Sequence, residues 1–147
     1  MKLTVKHFSE LTADELYGLL QLRTAVFVVE QQCIYQDLDG KDRHCLHVWA
    51  TDGQGVAGCL RVLPAGIQGE TAAIGRVVTR ERGQGVGREL MEAGIEAAQR
   101  VFGARVIRLE AQTYARGFYE KFGFRQISDE FLEDGIPHIQ MERAQED

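Results

Sequence analysis

Three glycines within five residues, Gly83, Gly85 and Gly87, separate a strand-like segment from a helix-like one. Residues 71–79 are typical of a strand, and apolar residues at helical spacing continue from the glycines to Phe102. Glycine permits left-handed backbone angles and a close approach of the main chain to a ligand. The first amides of a helix lack partners and lie at the positive end of its dipole. The sequence therefore predicts a mixed α/β chain with an anion site at this turn.

Short strands and helices alternate along the rest of the chain, whose length of 147 residues fits one domain over 1–147. Thr12 to Glu15 has the form of a capping box and opens a helix that fades near Glu30. Residues 30–44 show no clear period and indicate a long loop with at most one helical turn. The remaining predicted strands are 3–7, 45–51, 56–63, 106–111, 124–128 and 136–143, with a short helix at 114–122.

Composition narrows the class of protein. The chain is 44% hydrophobic and 27% charged, with a net charge of −5, so it is neither disordered nor suited to general nucleic-acid binding. It shows no apolar run typical of a membrane span and no signal peptide. Its cysteines, Cys33, Cys45 and Cys59, form no CxxC pair and indicate reduced thiols. We therefore expect a cytoplasmic protein.

A basic island surrounds the glycines. Residues 76–88 contain a single acid, Glu81, and four arginines, Arg76, Arg80, Arg82 and Arg88. This local positive charge favours a small anionic ligand. The alternative is a solvated arginine-bearing turn. Two familiar phosphate loops do not fit. The Gly-Lys-Ser/Thr ending of the Walker motif is absent, and the dinucleotide pattern has an arginine in place of its last glycine.

Two motifs carry a resemblance to a known family. The segment RGQGVG (82–87) has the form Q/R-x-x-G-x-G/A and resembles the coenzyme-A motif of the GNAT superfamily of N-acetyltransferases. The preceding residues 74–78 look like the fourth strand of that family, and ARGFYEKFGF (115–124) resembles its A-x-x-F-Y-x-K-x-G-F segment. Residues 26–31 and 134–138, with Tyr-Gln-Asp-Leu-Asp between them, are similar to the ElaA-type subgroup.

The resemblance implies a fold and a co-substrate. The fold is a central, mostly antiparallel sheet of about six or seven strands, splayed between strands four and five and flanked by about four helices. The co-substrate is acetyl-CoA, whose pantetheine arm would lie in the splay against the backbone of Val77 and Val78, with Thr79 at the strand end. The pyrophosphate would meet the glycine turn, formed by Arg82, Gly83, Gln84, Gly85, Val86, Gly87 and Arg88.

The same resemblance implies direct attack of a primary amine on the thioester, which needs a base and an acid. Tyr119 matches the family's tyrosine near the coenzyme-A sulfur and is the candidate acid, or else a core aromatic. Glu110 is a candidate base near the end of a strand, or else a solvent-facing residue. His138 is a second candidate base, or else a structural histidine. Glu30 and His44 are weak candidates for the acceptor side.

Metal binding is not expected. Cys33, His44, Cys45 and His47 supply zinc-type ligands, but their spacing matches no standard zinc site. The acids of the segment 37–42 hint at calcium, but a bidentate acid is missing at the twelfth position of such a loop.

Three functions remain open at this point. The first is an acetyl-CoA-dependent N-acetyltransferase that acts on a small-molecule or peptide amine. The second is a non-catalytic acyl-CoA sensor of the same fold, and the third is an unrelated anion-binding protein. We expect no nucleic-acid or membrane partner, and a homodimer is possible because dimers are common in the family.

Overall fold

The computed structural model describes residues 1–145, and this part of the chain contains eight strands and three α-helices. The strands are β1 (Lys2–His7), β2 (Leu46–Asp52), β3 (Gly55–Leu63), β4 (Ala72–Thr79), β5 (Val106–Gln112), β6 (Arg125–Gln126), β7 (Phe131–Glu133) and β8 (Ile136–Ala144). The helices are α1 (Ala13–Arg23), α2 (Val86–Phe102) and α3 (Arg116–Glu120). A π-helical segment, Thr24–Glu30, continues α1, and short 3-10 turns cover Phe8–Glu10, Lys41–His44 and Thr113–Ala115.

The strands form one mixed sheet in the order β1-β2-β3-β4-β5-β8-β6, with β7 paired to β8. Every pairing is antiparallel except that of β4 with β5. Parallel neighbours need a crossover connection, and α2 provides it here. The predicted mixed, mostly antiparallel sheet is confirmed.

Alternating side chains of the central strands build a core on each face of the sheet. Val48 and Leu60 point to the face covered by α2, where Leu90 and Met91 are fully buried. Trp49 and Cys59, their neighbours in the chain, point to the opposite face and pack with Leu19 of α1. This period of two is what a sheet with helices on both faces requires.

Small residues bring α2 close to the sheet. A Cβ atom on Gly58 of β3 would lie 2.9 Å from both the Val86 and the Leu90 side chains. A Cβ atom on Gly94 of α2 would lie 3.0 Å from Leu60. Glycine at both positions therefore seats α2 directly on β3, which fixes where the first turn of this helix begins.

The number of elements differs slightly from the sequence-based expectation of about six or seven strands and four helices. The additional strand is β7, whose three residues lie in an acid-rich segment without apolar alternation. The predicted helix at 114–122 divides into a 3-10 turn and the five residues of α3. The predicted capping box is present, because Thr12 Oγ1 accepts from the Glu15 amide at 3.1 Å.

Candidate active site

β4 and β5 run side by side for only two residues of each strand. Ala72 pairs with Ile107 and Ala73 pairs with Arg108, and the two strands then separate. From Ile74 onward, the edge of β4 that faces β5 has no strand partner, so its peptide groups are open to a ligand. A cavity of about 600 Å³ occupies this gap. Its lining includes Gly75, Arg76 and Val77 of β4 and Glu110 and Gln112 of β5.

A bulge lies on β4 where the strand borders the cavity. Arg76 and Val77 together face a single residue of β3, Leu60. Arg76 adopts a left-handed φ of +53°, a strained angle for a residue other than glycine. Such strain costs on the order of 1–3 kcal/mol and gathers at functional sites. Because a bulge redirects the strand, it changes the direction of the neighbouring peptide groups beside the cavity.

The glycine turn leads directly into α2. Gly83 and Gly85 have φ angles of +78° and +75°, and Gly85 is the N-cap of the helix with no side-chain cap. The ladder of helical hydrogen bonds begins when the Glu89 amide donates to the Gly85 carbonyl at 3.3 Å. The amides of residues 86–88 precede that bond and lack α-helical partners. A Cβ atom on either of the two left-handed glycines would meet nothing within 4 Å, so the space above the turn is open.

The arginines near the turn have different surroundings. Arg80 is paired with Asp52 and therefore does not add free positive charge. Arg82 lies 5.6 Å from the centre of the Tyr114 ring in a cation–π contact. Arg88 is exposed, and residues 1–145 offer it no acidic partner. Arg82 and Arg88 are thus the two cations available to an anion at the turn.

The other residues predicted to hold the cofactor divide into side chains and backbone. The Val77 side chain lines the cavity. The Val78 side chain is buried on the face of the sheet that packs against α1, and the side chain of Val86, the first residue of α2, is buried between that helix and the sheet. These two residues therefore offer only their backbone. Thr79 ends β4, and Gln84 is exposed within the turn.

Tyr119 of α3 reaches the cavity from the side of β5. Its ring packs against Phe118 at 5.1 Å and Phe124 at 6.4 Å between centroids. Its hydroxyl has no hydrogen-bond partner in the part of the chain that the structure describes. Burial raises the pKa of the Tyr119 phenol well above its usual range, so the group remains protonated at neutral pH. The side chain is therefore both a packed aromatic and a free hydrogen-bond donor.

Glu110 of β5 and Glu133 of β7 both line the cavity. Glu110 is exposed on β5, as its solvent-facing alternative predicted. Desolvation by the protein atoms around its carboxyl group, followed by the hydrogen-bonding and charge effects of Glu133, nevertheless raises the pKa of Glu110 to about 7. Glu110 therefore keeps its proton up to about neutral pH, because the negative charge of Glu133 disfavours a second negative charge beside it. Lys41 and Arg76 act in the opposite direction on this pKa but do not outweigh the other effects.

His138 of β8 lies behind this pair. Its Nε2 atom is 3.8 Å from the Glu133 carboxylate, and its ring stacks on Phe131 at 6.1 Å between centroids. Its Nδ1 atom lies 2.7 Å from the Ile136 carbonyl oxygen, which can only accept, so Nδ1 donates. The structure thus brings both candidate bases to one cavity, joined through a glutamate that the sequence analysis did not single out.

An ion-pair network holds the irregular segment 31–45 beside the cavity. Arg23 is buried and donates through Nε to Asp37 at 3.0 Å and through Nη1 to Asp42 at 2.7 Å. Arg61 donates to Asp39 at 2.7 Å and to Asp42 at 3.1 Å. Because every charge is matched, the segment can lie over the sheet without burying an isolated ion.

Arg76 completes this network of three arginines and three aspartates. Its Nε atom lies 2.8 Å from Asp37 Oδ1, and its Nη2 atom lies 3.4 Å from Asp39 Oδ2. Although burial opposes ionisation, hydrogen bonds from Arg61 and the Lys41 amide hold the pKa of Asp39 well below its usual range. The acids that suggested a calcium loop are therefore ligands of guanidinium groups.

The charge of the cavity lining follows from these pairings. Arg61 and Arg76 are neutralised by the network, which leaves Lys41 as the cation of the lining without an acidic partner among residues 1–145. The anionic side is formed by Glu110, Glu133 and Asp134. This end of the cavity is therefore negative overall and suits a positively charged group.

Other sequence-based candidates lie elsewhere. Glu30 and His44 are exposed and do not line the cavity. The three cysteines are free thiols, and residues 1–145 contain no group of three or more His, Cys, Asp or Glu side chains arranged to hold a metal ion. No helix in this described part of the chain has the length and apolar character needed to cross a bilayer.

The chain is similar to proteins of a known family. A family model described as an acetyltransferase (GNAT) domain matches residues 9–144. Protein ElaA of Escherichia coli strain K12 is 43% identical over 144 residues, which cover 93% of this chain and 92% of the relative.

Two solved structures superimpose closely. One is an acyl-CoA N-acyltransferase from Pseudomonas aeruginosa, with a TM-score of 0.92 and 41% identity, covering 98% of this chain and 100% of the other. The second is Escherichia coli ElaA, with a TM-score of 0.90 and 39% identity, covering 97% and 98%.

Proposed function

Because the chain belongs to the GNAT acetyltransferase family, we propose that it transfers the acetyl group of acetyl-CoA to a primary amine. The amine is a small molecule or a peptide amine, and it attacks the thioester directly in a ternary complex. The observation that carries the proposal is one cavity that combines the open edge of β4 with the unpartnered hydroxyl of Tyr119 and a carboxyl group of raised pKa.

Coenzyme A binds along β4 and the glycine turn. The pyrophosphate accepts hydrogen bonds from the backbone amides of the segment 83–88, where the positive end of the α2 dipole adds to the attraction. The Arg82 and Arg88 side chains contribute positive charge. The pantetheine arm pairs with the β4 backbone at Val77 and Val78, up to Thr79, in place of a neighbouring strand.

Attack begins once the ammonium group of the acceptor loses a proton. The amine nitrogen then forms a bond to the thioester carbonyl carbon, and the carbon–sulfur bond breaks as the tetrahedral intermediate collapses. The products are the N-acetyl amide, the free thiol of coenzyme A and one released proton. Because both substrates are held in one cavity, the reaction gains most from positioning and from these proton transfers.

Tyr119 and Glu110 carry the two proton transfers. Tyr119 donates the proton of its hydroxyl to the departing thiolate, and its raised pKa keeps that proton in place at neutral pH. Glu110 accepts the proton of the ammonium group, since a pKa of about 7 suits a base that works near neutral pH. His138, the second candidate base, acts through Glu133 rather than by contact with the amine.

Calorimetric titration with acetyl-CoA, followed by a thiol-release assay over a panel of primary amines, tests the proposal. We expect micromolar binding, typical of such substrates, and thiol release with at least one amine. Binding without release on any amine would replace the enzyme by the second function, an acyl-CoA-binding module. Absence of binding would overturn the assignment of the glycine turn. The free cysteines support a reducing compartment, and we place the protein in the cytoplasm.

A further inference from the structure

Glu133 occupies a position that neither the motifs nor the family comparison assigns. It ends β7, the three-residue strand that pairs with the start of β8, and its side chain is about half exposed. The hairpin between β7 and β8 carries this side chain to the same cavity as Glu110 of β5, where its charge raises the pKa of Glu110. A strand of three residues at the sheet edge thus serves to complete the cavity wall.

The two carboxyl groups share the cavity with the other groups proposed to bind the substrates. Tyr119 lines the same cavity from α3, and its hydroxyl has no partner among the described residues. The open edge of β4 forms another wall. The two glutamates therefore face the space in which the amine must meet the thioester, and their charge is not cancelled by the neutral arginine–aspartate network.

We propose that Glu110 and Glu133 form a two-carboxylate clamp that binds the acceptor as a primary alkylammonium ion. This inference rests on the proposed acetyltransferase function and adds a substrate class and a specificity-determining residue to it. Before the acceptor enters, Glu110 holds a proton beside the Glu133 carboxyl group. An ammonium ion provides three N–H donors of opposite charge and takes the place of that proton between the glutamates.

The clamp also accounts for the proton that the amine must lose. When a proton leaves the ammonium nitrogen, the N–H bond breaks and an O–H bond forms on Glu110, which returns to its protonated state. Glu133 lies 3.8 Å from His138 Nε2, so a route for the proton toward the surface runs along β8. Neutral and anionic acceptors form no such charge-assisted hydrogen bonds, so we expect them to bind more weakly than an ammonium ion.

The charged groups around the clamp come from several elements. Lys41 of a 3-10 turn and Arg76 of β4 lower the pKa of Glu110, whereas Glu133 of β7 raises it. His138 of β8 faces Glu133, and Asp134 lines the cavity beside it. Ammonium binding is therefore expected to strengthen as pH rises through about 7, where Glu110 loses its proton.

Nuclear magnetic resonance of protein labelled with ¹³C at the glutamate side chains tests the clamp without knowledge of the natural acceptor. In the wild type, the Glu110 resonance should titrate near pH 7. In Glu133→Gln, its midpoint should fall toward the ordinary glutamate value, since the negative charge beside Glu110 is gone. Glu130→Gln, an exposed neighbour outside the cavity, removes the same charge and should leave the midpoint unchanged.

The binding probe is n-butylammonium at pH 8, with n-butanol as the uncharged analogue. We expect saturable binding of the ammonium ion to the wild type and to Glu130→Gln. Binding should weaken by about tenfold or more in Glu110→Gln and in Glu133→Gln, since one charge-assisted hydrogen bond is worth about 1.5–3 kcal/mol. n-Butanol should not compete.

Two results would overturn the clamp. One is a Glu110 midpoint that does not move in Glu133→Gln, and the other is a wild type whose resonances do not respond to n-butylammonium. Acetyl-CoA titration of the same proteins separates this failure from a failure of the proposed function. Normal acetyl-CoA binding with thiol release, but without the clamp signals, would leave the acetyltransferase standing and remove only the clamp.

Discussion

Tyr119 joins two properties that the sequence could only offer as alternatives. Its ring packs edge-on against Phe118 and the residue lines the cavity, so packing holds the side chain in place for the proton donation that we propose. A side chain whose orientation is fixed by packing loses less freedom when it donates its proton. Under the proposed mechanism, the aromatic contacts of α3 therefore serve the chemistry as well as the core.

Replacement of Tyr119 by Phe keeps the ring and removes the donor. We expect kcat to fall by roughly 100-fold or more, because positioned acid catalysis contributes about that factor. Acetyl-CoA affinity measured by calorimetry should not change, since the glycine turn and β4 are untouched. Tyr17→Phe, on an exposed position of α1, serves as the control. Unchanged turnover in Tyr119→Phe would assign this residue to packing alone.

Motifs reveal a residue such as Tyr119, but they do not reveal Glu133. The tyrosine stands inside a recognisable segment, and so do the glycines of the turn. The glutamate stands in an acid-rich stretch that is typical of a solvated surface. Its contact with Glu110 depends on strand pairing between segments far apart in the chain, which sequence periodicity does not encode.

At the scale of elements, the start of α2 depends on a left-handed N-cap. Gly85→Val places a β-branched side chain at a φ of +75° and directs its Cβ into the open space above the turn. We expect acetyl-CoA affinity to fall by about tenfold or more, the value of one charge-assisted hydrogen bond from the helix amides. Calorimetry measures this loss.

Gly103 at the other end of the same helix supplies the matched control. It has a φ of +63° and an equally open Cβ position, so Gly103→Val introduces similar strain, on the order of 1–3 kcal/mol. Both variants should lower the melting temperature, but only Gly85→Val should weaken acetyl-CoA binding. Equal loss of affinity in both would indicate general destabilisation rather than a pyrophosphate site.

The segment 31–45 is held by charge rather than by secondary structure. Asp42→Asn leaves Arg23 and Arg61, both almost fully buried, without one of their carboxylates. Removal of one partner from such a pair costs about 3–5 kcal/mol, which lowers the melting temperature by about 10 °C in a domain of this size. Asp14→Asn, exposed on α1, should change the melting temperature little. A small change in Asp42→Asn would show that the network is dispensable.

The ion pairs that hold this segment could not be predicted from the sequence, unlike most of the helices and strands. The strands and α2 follow from periodicity, because apolar side chains face a core in every turn or every second residue. The spacing of Asp37, Asp39 and Asp42 suggested a metal loop and gave no sign of the arginines that bind them. Those partners are 14 to 39 residues away and meet the acids only after the sheet has formed.

At the scale of the whole molecule, two groups of acids give stability opposite pH dependences. The network lowers the pKa of Asp39 and Asp42, so their contribution is present above the ordinary aspartate pKa and is lost as pH falls. Glu110 has a pKa raised to about 7, so its contribution is full below the ordinary glutamate pKa and is lost as pH rises through 7.

Glu110→Gln isolates the second effect, because glutamine resembles the protonated acid at every pH. We expect this variant to melt at a higher temperature than the wild type at pH 8 and at nearly the same temperature at pH 4. Differential scanning calorimetry at the two pH values measures the difference, with Glu130→Gln as the control. A Glu110→Gln shift that is the same at both pH values would show that the pKa of Glu110 is not raised.

The two-residue contact between β4 and β5 also bears on how the chain folds. Strands β1 to β4 are consecutive antiparallel neighbours, and β5 to β8 form a second antiparallel group. Within each group, the strands pair across the connections of that group. Strand pairing between the two groups is confined to Ala72 and Ala73 of β4 and their partners on β5. The arrangement that opens the cavity between β4 and β5 thus also reduces the number of long-range encounters on the route to the native state.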